Sequence, residues 1–249
     1  MRLKMVAPPM HKDPVLVGHA AELNARCADH SALDIIAEAA DAFRLKLAAT
    51  SSFGAESVVL LHLISQVKPD LPIIFLNTLR HFSETLDYKD EVVALLGLTN
   101  VIEATPDADR MRFEDPKLDL SKRNPDQCCR SRKKLPMLDA LKGYDAYLTG
   151  RKRSQTENRA DLQIFEVQDE RIKVNPLASW SKVELDDYID GHGLPRHPLE
   201  PWGYLSVGCE PCTSPVAVGS NPRAGRWAGM AKTECGIHFA EEVQLDWAC

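Results

Sequence analysis

The chain has 249 residues, of which 44% are hydrophobic and 27% are charged, a composition typical of a globular protein with one substantial hydrophobic core. The formal net charge of -6 excludes a protein that binds nucleic acid or membrane surfaces through general positive charge, and no apolar run is long enough to cross a bilayer. The N-terminal residues contain no apolar stretch of signal-peptide type, so we expect a cytoplasmic protein with reduced thiols and with neither a nucleic-acid nor a membrane partner.

The hydrophobic pattern alternates between strands and helices along most of the chain. It predicts strands at 45–50, 73–77, 99–104 and 146–149, and helices at 31–44, 58–67 and 83–96. Two short apolar runs at 164–167 and 172–174 flank four polar residues and predict a hairpin. A capping box formed by Ser181 and Glu184 begins one more helix, which reaches about residue 189. This order predicts an α/β fold, a parallel twisted sheet with helices on both faces.

The chain divides into three parts of one domain, 1–249. We expect an N-terminal extension at 1–30, an α/β core at 31–200 and an irregular tail at 201–249 that is rich in proline and glycine. A long irregular segment that contains four of the seven cysteines indicates function, because loops hold reactive groups that a sheet positions.

The first predicted strand runs into the loop SSFGAES, at the point where a helix begins. The free N–H groups and the positive helix end at such a turn suit a phosphate or sulfate, and Ser51, Ser52 and Gly54 are the candidate ligands. An ordinary strand-to-helix turn with a serine cap is the alternative, and this motif taken alone favours it. No lysine follows Gly54, which excludes a Walker A loop.

Two cysteine pairs, Cys128-Cys129 and Cys209-x-x-Cys212, supply four soft metal ligands. Four thiolates suit either zinc or an iron–sulfur cluster. Adjacent cysteines point apart and chelate one small ion poorly, whereas a cubane offers separate iron corners to neighbouring residues. The pattern therefore favours a 4Fe-4S cluster, with a chance pair beside a redox-active CxxC as the alternative.

A basic run follows the first cysteine pair. In a helix, Lys133 would lie four residues beyond Cys129 and on the same face, where its ammonium could offset the charge of a cluster and reach an anionic substrate. A solvated basic face is the alternative. Pro136 is expected to kink this helix or to end it.

Cys235 lies between Lys232 and His238 and precedes a glycine. Neighbouring cations lower the pKa of a thiol and raise its thiolate fraction, as a nucleophile requires. Arg223 and Arg226 upstream could clamp an anion through paired hydrogen bonds. An inert cysteine near a chain end is the alternative interpretation.

Taken together, the motifs CCRSRKKLPM, SVGCEPCT and KTECGIH resemble those of the assimilatory APS/PAPS reductases, in the branch that binds a 4Fe-4S cluster. The segment LTGRKRSQTENR and the SSFGAES loop are similar to the nucleotide-binding elements of that family, and the resemblance extends over about 45–239. It implies an adenine nucleotide α-hydrolase-like fold and the reduction of adenosine 5′-phosphosulfate (APS) to sulfite and AMP.

The resemblance also assigns roles to individual residues. It makes Cys235 the nucleophile on a mobile tail, where an S-sulfocysteine intermediate forms. Ile237 and Phe53 depart from the usual residues of the family. The ligands of one 4Fe-4S cluster would be Cys128, Cys129, Cys209 and Cys212. The contacts to the phosphosulfate would come from Lys133, Arg159, Arg223, Arg226 and His238, and those to the adenosine from Leu76 and Gly150.

The electron count of this reaction implies a second thiol. Reduction of APS to sulfite takes two electrons, which two thiols supply by forming one disulfide, so a cluster need not change valence. The chain ends at Cys249 with no room for a fused thioredoxin-like domain, so thioredoxin in trans is the expected reductant. Cys249 as an internal thiol is the alternative, and Cys27 is expected to be a small buried hydrophobe. We also expect a homo-oligomer.

Three other functions remain open at this stage. A PAPS reductase would accept the 3′-phosphate, and comparing turnover of the two nucleotides distinguishes it. An ATP-dependent sulfur or acyl transferase on the same fold would release pyrophosphate. A zinc-stabilised binding module would contain zinc and would be unaffected by Cys235→Ala.

Overall fold

A computed structural model describes residues 13–230 and 232–237, and within these ranges six strands form one sheet in the order β3-β2-β1-β4-β6-β5. The strands are β1 (Leu47–Ser51), β2 (Ile73–Leu76), β3 (Val101–Ala104), β4 (Ala146–Leu148), β5 (Phe165–Gln168) and β6 (Arg171–Val174). The helices are α1 (Pro14–Arg26), α2 (Ala32–Phe43), α3 (Ser57–Val67), α4 (Ser83–Leu96), α5 (Ala108–Glu114), α6 (Leu120–Arg123), α7 (Pro125–Cys129), α8 (Leu135–Ala140) and α9 (Lys182–Gly191).

The predicted parallel sheet is confirmed. Every strand pair from β3 to β6 is parallel, and only β5 runs antiparallel, as the outer strand of the predicted hairpin. Each predicted strand lies within two residues of the observed one. The predicted α4 has the observed bounds, because Gly97 adopts a left-handed conformation (φ 61°) that ends the helix.

Alternate residues of the central strands enter two separate cores. Leu47 and Ala49 of β1 pack with α1, α2, α3, α4 and α9 on one face of the sheet. Ala48 of β1 and Ile74 of β2 pack with Met137 of α8 on the other face. Successive side chains of a strand point to opposite faces, so this pattern is that of a sheet covered by helices on both sides.

The N-terminal extension expected at 1–30 contains a helix that belongs to the core. Leu23 of α1 is fully buried, and the Asn24 side chain exchanges two hydrogen bonds with the backbone of Phe165 at the start of β5 (2.8 and 3.0 Å). Helix α1 therefore covers the outer strand of the sheet. The sequence pattern missed this helix because most of its residues remain exposed.

The connection from β3 to β4 contains most of the short helices. Helix α7 ends at Cys129 and continues as a π-helical turn, Arg130–Lys134, into α8. Of the two outcomes expected at Pro136, a kink or an end of the helix, the end does not occur, because α8 continues to Ala140. The π turn interrupts the regular hydrogen-bond series, so Pro136 stands in the first turn of a new helical segment, where a missing N–H is tolerated.

No helix in the described ranges is long and apolar enough to cross a membrane. After α9, the described part of the chain contains only short 3-10 turns, Glu200–Trp202 and Glu210–Cys212, as the irregular tail predicts.

Strand β6 contributes one fully buried lysine. Lys173 donates a hydrogen bond to Gln168 Oε1 (2.8 Å) and has no exposed surface. Burial lowers the pKa of Lys173 from its ordinary value to about 7, with Arg151 and Arg159 adding repulsion and Glu166 and Asp169 opposing it. Folding therefore favours the neutral amine.

Replacement of this lysine should change how stability depends on pH. Between pH 7 and 10 the unfolded lysine keeps a proton that the folded one releases, so the free energy of unfolding rises with pH through this window. Lys173→Met should remove that rise, making the increase from pH 7.5 to 9.5 smaller than in the wild type by about 1–3 kcal/mol.

Urea unfolding of both proteins at several pH values measures this difference. Lys142→Met is the control, since the Lys142 side chain is 77% exposed. If the free energy of unfolding changes with pH in the same way in the wild type and in Lys173→Met, the lowered pKa of Lys173 is contradicted.

Candidate active site

A cavity of about 520 Å³ lies at the carboxyl ends of the parallel strands. Its floor is formed where β1, β2 and β4 end, and β1 and β4 flank the point at which the strand order reverses. Ligands of open α/β sheets bind at such a switch point. The volume is that of an ordinary small-molecule site.

The SSFGAES loop forms one wall of this cavity. Phe53 has a positive φ (46°) and turns its ring into the core, edge-on to Phe75, which explains why an aromatic residue is tolerated here. Gly54 packs against the backbone of the tail, and an added Cβ would lie 3.2 Å from the Val207 carbonyl oxygen. Ser51 and Ser52 also line the cavity.

The loop after β4 forms the opposite wall, and its charged residues were missed by the sequence analysis. Lys152 Nζ pairs with Glu56 Oε2 (2.8 Å) and so joins this loop to the SSFGAES loop. Arg151 pairs with Glu166 of β5 (2.9 Å). Burial lowers the pKa of both cations, and each carboxylate opposes that effect. The basic run after Gly150 was the available signal.

The four paired cysteines are all buried and lie around one small pocket. Cys128 and Cys129 come from the end of α7. Cys209 is held in the tail by a β-bridge to His81 and accepts or donates a hydrogen bond with Thr78 Oγ1 (3.2 Å). The predicted pairs, separated by 79 residues, therefore meet in the fold.

The surroundings of these thiols differ in charge. Burial raises the pKa of Cys128 to about 11 and that of Cys129 to about 12. Burial acts in the same direction on Cys209, but Lys133, Thr78 and Arg226 together lower its pKa below the ordinary value. The thiolate is thus favoured next to the cavity.

This donor set fits an iron–sulfur cluster. Four buried thiols converge on one pocket, and the buried Nε1 of Trp227 in its wall has no hydrogen-bond partner among the described residues. Within those residues, no three histidine, cysteine, aspartate or glutamate side chains are grouped closely enough to bind one metal ion. Four thiols around one pocket are a donor set of the kind that iron–sulfur clusters take.

Lys133 joins the cysteine pocket to the large cavity, since it lines both. Burial disfavours its ammonium, but the thiolates of Cys209, Cys235 and Cys129 outweigh burial and raise the pKa of Lys133 above its ordinary value. The predicted position of this lysine beside Cys129 is consistent with these interactions. Lys133 is therefore a cation placed between the cysteines and the cavity.

Arg226, like Arg151, is a cavity cation whose buried Nε has a hydrogen-bond donor that no described residue uses. Its guanidinium stacks on the ring of Trp227 (4.6 Å to the ring centroid), and its buried Nε has no partner in the described ranges. The guanidinium also lies flat against Gly208, where a Cβ would overlap it. A half-buried guanidinium with an unused N–H group suits the binding of an anion.

Cys235 lies on the wall of the cavity. Its side chain packs against those of Cys129, Cys209, Cys212 and Trp227. Its side chain is half-buried, unlike the other described cysteines. The preceding residue, Glu234, bridges Arg159 (2.8 Å) and Arg223 (3.3 Å). No sequence motif had indicated a role for Glu234.

The structure brings together the predicted site residues that it describes. His238 and Cys249 lie outside the described residues. Cys27 is buried, as expected for a small hydrophobe. The predicted residues that line the one cavity are Ser51, Ser52, Gly54, Leu76, Lys133, Gly150, Arg159, Arg223, Arg226 and Cys235.

Comparisons with known proteins agree with this architecture. The profile of the phosphoadenosine phosphosulfate reductase domain matches residues 46–215. A protein of Chelativorans named adenosine 5′-phosphosulfate reductase is 44% identical over 94% of this chain and 96% of its own. Another of that name from Mesorhizobium japonicum is 46% identical over 94% of this chain and 92% of its own.

Solved structures give the same result for the fold. Phosphoadenylyl-sulfate reductase from Candida auris superposes with a TM-score of 0.67 and 29% identity, covering 80% of this chain and 97% of that one. FMN adenylyltransferase from Candida glabrata, at 14% identity and a TM-score of 0.55, covers 88% and 72% and shares the fold alone. The expected adenine nucleotide α-hydrolase-like fold is confirmed. The chain belongs to the phosphoadenosine phosphosulfate reductase domain family, and within it to the adenosine 5′-phosphosulfate reductases.

Proposed function

We propose that this protein reduces APS to sulfite and AMP in sulfate assimilation, with Cys235 as the nucleophile. One observation carries the proposal: a half-buried thiol lies on the wall of a nucleotide-sized cavity that is lined with arginine and lysine. Relatives that match nearly the whole chain have the name of this activity. The same nucleophile, cations and cavity suit a sulfonyl group held on a nucleotide.

The substrate would bind with its adenosine over the strand ends and its anionic part towards the tail. Leu76 and Gly150 lie at the ends of β2 and β4, where the base and ribose would pack. Lys133, Arg159, Arg223 and Arg226 would surround the phosphosulfate. Their charge would stabilise the negative charge that develops on the departing AMP.

The chemistry then needs two thiol displacements. The Cys235 thiolate attacks the sulfonyl sulfur, and the S–O bond to the phosphate breaks with its electron pair leaving on AMP. An S-sulfocysteine results. A second thiolate attacks Cys235 Sγ, and the S–S bond breaks with its electron pair leaving on sulfite. Resolution of the mixed disulfide by a further thiol restores Cys235 and balances the two electrons.

The four paired cysteines would hold one 4Fe-4S cluster beside this site. When bound, the group would supply negative charge and rigid cross-links between the tail and α7. Lys133 lies between those cysteines and the cavity and would orient the anionic end of the substrate. The two-electron chemistry is complete with thiols alone.

Thioredoxin in trans would be the source of the second and third thiols. A dithiol partner supplies both of them, and a reducing cytoplasm maintains it. The buried paired cysteines do not offer an accessible thiol for this step.

The proposed activity is tested by incubating the anaerobically purified protein with APS, thioredoxin, thioredoxin reductase and NADPH. We expect equimolar sulfite and AMP, and at least a thousandfold loss of turnover in Cys235→Ser, because a hydroxyl is a far poorer nucleophile and cannot form a disulfide. Cys249→Ser should keep thioredoxin-dependent turnover.

Each result in this assay decides a point. Full activity of Cys235→Ser would refute the assigned nucleophile. Loss of activity in Cys249→Ser would favour an internal second thiol. Faster turnover of PAPS than of APS would favour the activity named for the Candida auris relative.

The cofactor proposal is tested by iron, sulfide and zinc analysis together with the visible spectrum. We expect about four irons and four sulfides per chain, as four-thiolate ligation implies. Cys209→Ser should lose iron, whereas Cys27→Ala, which changes a buried cysteine that does not line the pocket, should retain it. Stoichiometric zinc in the wild type would contradict the cluster.

The role of Arg226 is tested through the glycine beneath it. In Gly208→Ala the new Cβ would push the guanidinium off Trp227, which the flexible arginine can accommodate without unfolding. We expect the KM for APS to rise about tenfold, equivalent to ~1.4 kcal/mol of lost binding.

The control is Gly191→Ala, where no atom lies within 4 Å of the added Cβ. Iron content should be unchanged in both variants. An unaltered KM in Gly208→Ala would show that Arg226 does not contact the substrate.

A further inference from the structure

A buried carboxylate lies between two of the arginines proposed to bind the substrate. Glu234 is only 9% exposed, and its Oε2 pairs with Arg159 Nη2 (2.8 Å) and Arg223 Nη2 (3.3 Å). Thr156 Oγ1 donates to its other oxygen, Oε1 (3.4 Å). One carboxylate thus joins two cations that would otherwise repel each other, and leaves one positive charge for an incoming anion.

This carboxylate has no part in the displacement chemistry. A buried ion pair is not stabilising by itself, because desolvation of the two charges offsets much of their attraction. Glu234 also occupies N–H donors that the substrate's anionic group would use. A group that is costly to bury and competes with the substrate requires another explanation.

The position of Glu234 in the tail supplies that explanation. The described residues 232–237 form neither a helix nor a strand, so side-chain contacts hold them in place. Lys232 pairs with Asp126 near one end, and Gln168 Nε2 donates to the Ile237 carbonyl (3.2 Å) at the other. Glu234 makes a buried contact, lies in sequence between Lys232 and Ile237, and directly precedes Cys235.

The side chain of Arg223 also binds the backbone of the tail. Arg223 Nη2 donates to the Thr233 carbonyl (2.9 Å) as well as to Glu234. Adjacent Cα atoms are about 3.8 Å apart, so fixing residues 233 and 234 fixes the backbone of Cys235 as well. The arginines thereby set where the thiol lies.

We propose that Glu234 is a positioning residue, a latch whose carboxylate docks the tail on Arg159 and Arg223 and so holds Cys235 against the cavity. The inference rests on the proposed function for the role of Cys235. Because the latch and the substrate's anion share two arginines, docking of the thiol and binding of the nucleotide act on each other.

Three changes should follow from Glu234→Gln, which keeps the shape and removes the charge. The tail should undock more often, so Cys235 becomes more accessible to reagents. The arginines should bind an anionic nucleotide more tightly, because a competing carboxylate is gone. Turnover should fall, since the thiol is less often in place. A variant that merely folds poorly would bind nucleotide more weakly.

Accessibility is measured by alkylation with iodoacetamide, without nucleotide, in a Cys249→Ser background. The C-terminal tryptic peptide begins at Thr233, so Cys235 is then its only thiol and mass spectrometry quantifies its modification. The alkylation rate of each protein is taken at high pH, where it no longer rises because the thiol is fully ionised. A difference in thiol pKa then has no effect on the comparison. We expect at least a fivefold faster plateau rate in Glu234→Gln.

The matched control is Glu157→Gln, which removes the same charge from an exposed residue two positions before Arg159. Its plateau rate should equal that of the parent protein. Calorimetry with AMP should give a severalfold lower Kd for Glu234→Gln only, and the kcat for APS should fall at least tenfold without a rise in KM.

The outcomes separate this inference from the proposed function. If the parent and Glu157→Gln reduce APS while Glu234→Gln matches them in alkylation, AMP affinity and kcat, the latch is wrong and the function stands. If no protein reduces APS, the function fails, and the alkylation and AMP measurements still decide whether the carboxylate docks the tail. Weaker AMP binding in Glu234→Gln would contradict the claim that Glu234 and the nucleotide compete for Arg159 and Arg223.

Discussion

Buried positive charge is the constraint on which this site depends. Seven lysine and arginine side chains line the described cavity, and burial lowers the pKa of three of them, Arg151, Lys152 and Arg223. Cations in a low-dielectric wall need anionic partners, and the chain supplies carboxylates from three different segments. An excess of positive charge remains for an anionic ligand. The complete set of lysine and arginine residues in the lining is Lys133, Arg151, Lys152, Arg159, Lys182, Arg223 and Arg226.

The same constraint explains how distant segments are brought together. Glu56 crosses from the loop after β1 to Lys152 after β4, and Glu234 crosses from the tail to Arg159. Each ion pair closes one side of the cavity. On the remaining side the sulfur of Cys209 is the anionic partner, because Lys133 lowers the pKa of this thiol below its ordinary value. Charge pairing, more than regular secondary structure, therefore holds the irregular tail on the sheet.

Elements and motifs that depend on neighbouring residues could be predicted from the sequence. Ion pairs between segments that are distant in sequence could not. The four strands with continuous apolar runs and the helix ended by Gly97 follow from short-range rules, and they were predicted closely. The cysteine pairs could be recognised in the sequence because cysteine is a rare residue type. Lys152 and Glu234 could not, since their partners lie far away in sequence and a single charged residue is usually exposed. Pro136 misled because a π turn precedes it.

The proposed chemistry explains why the nucleophile lies on a side-chain-docked tail instead of on a strand end. In the proposed mechanism the first displacement would take place inside a cavity of about 520 Å³, a volume that suits a small molecule. The second requires Cys235 Sγ to meet a thiol of another protein, so the residue must leave the wall it first occupies. Strand pairing would hold the tail through several backbone hydrogen bonds. A few ion pairs and the Gln168 contact to Ile237 hold it while substrate is converted, and they can be released without unfolding the sheet.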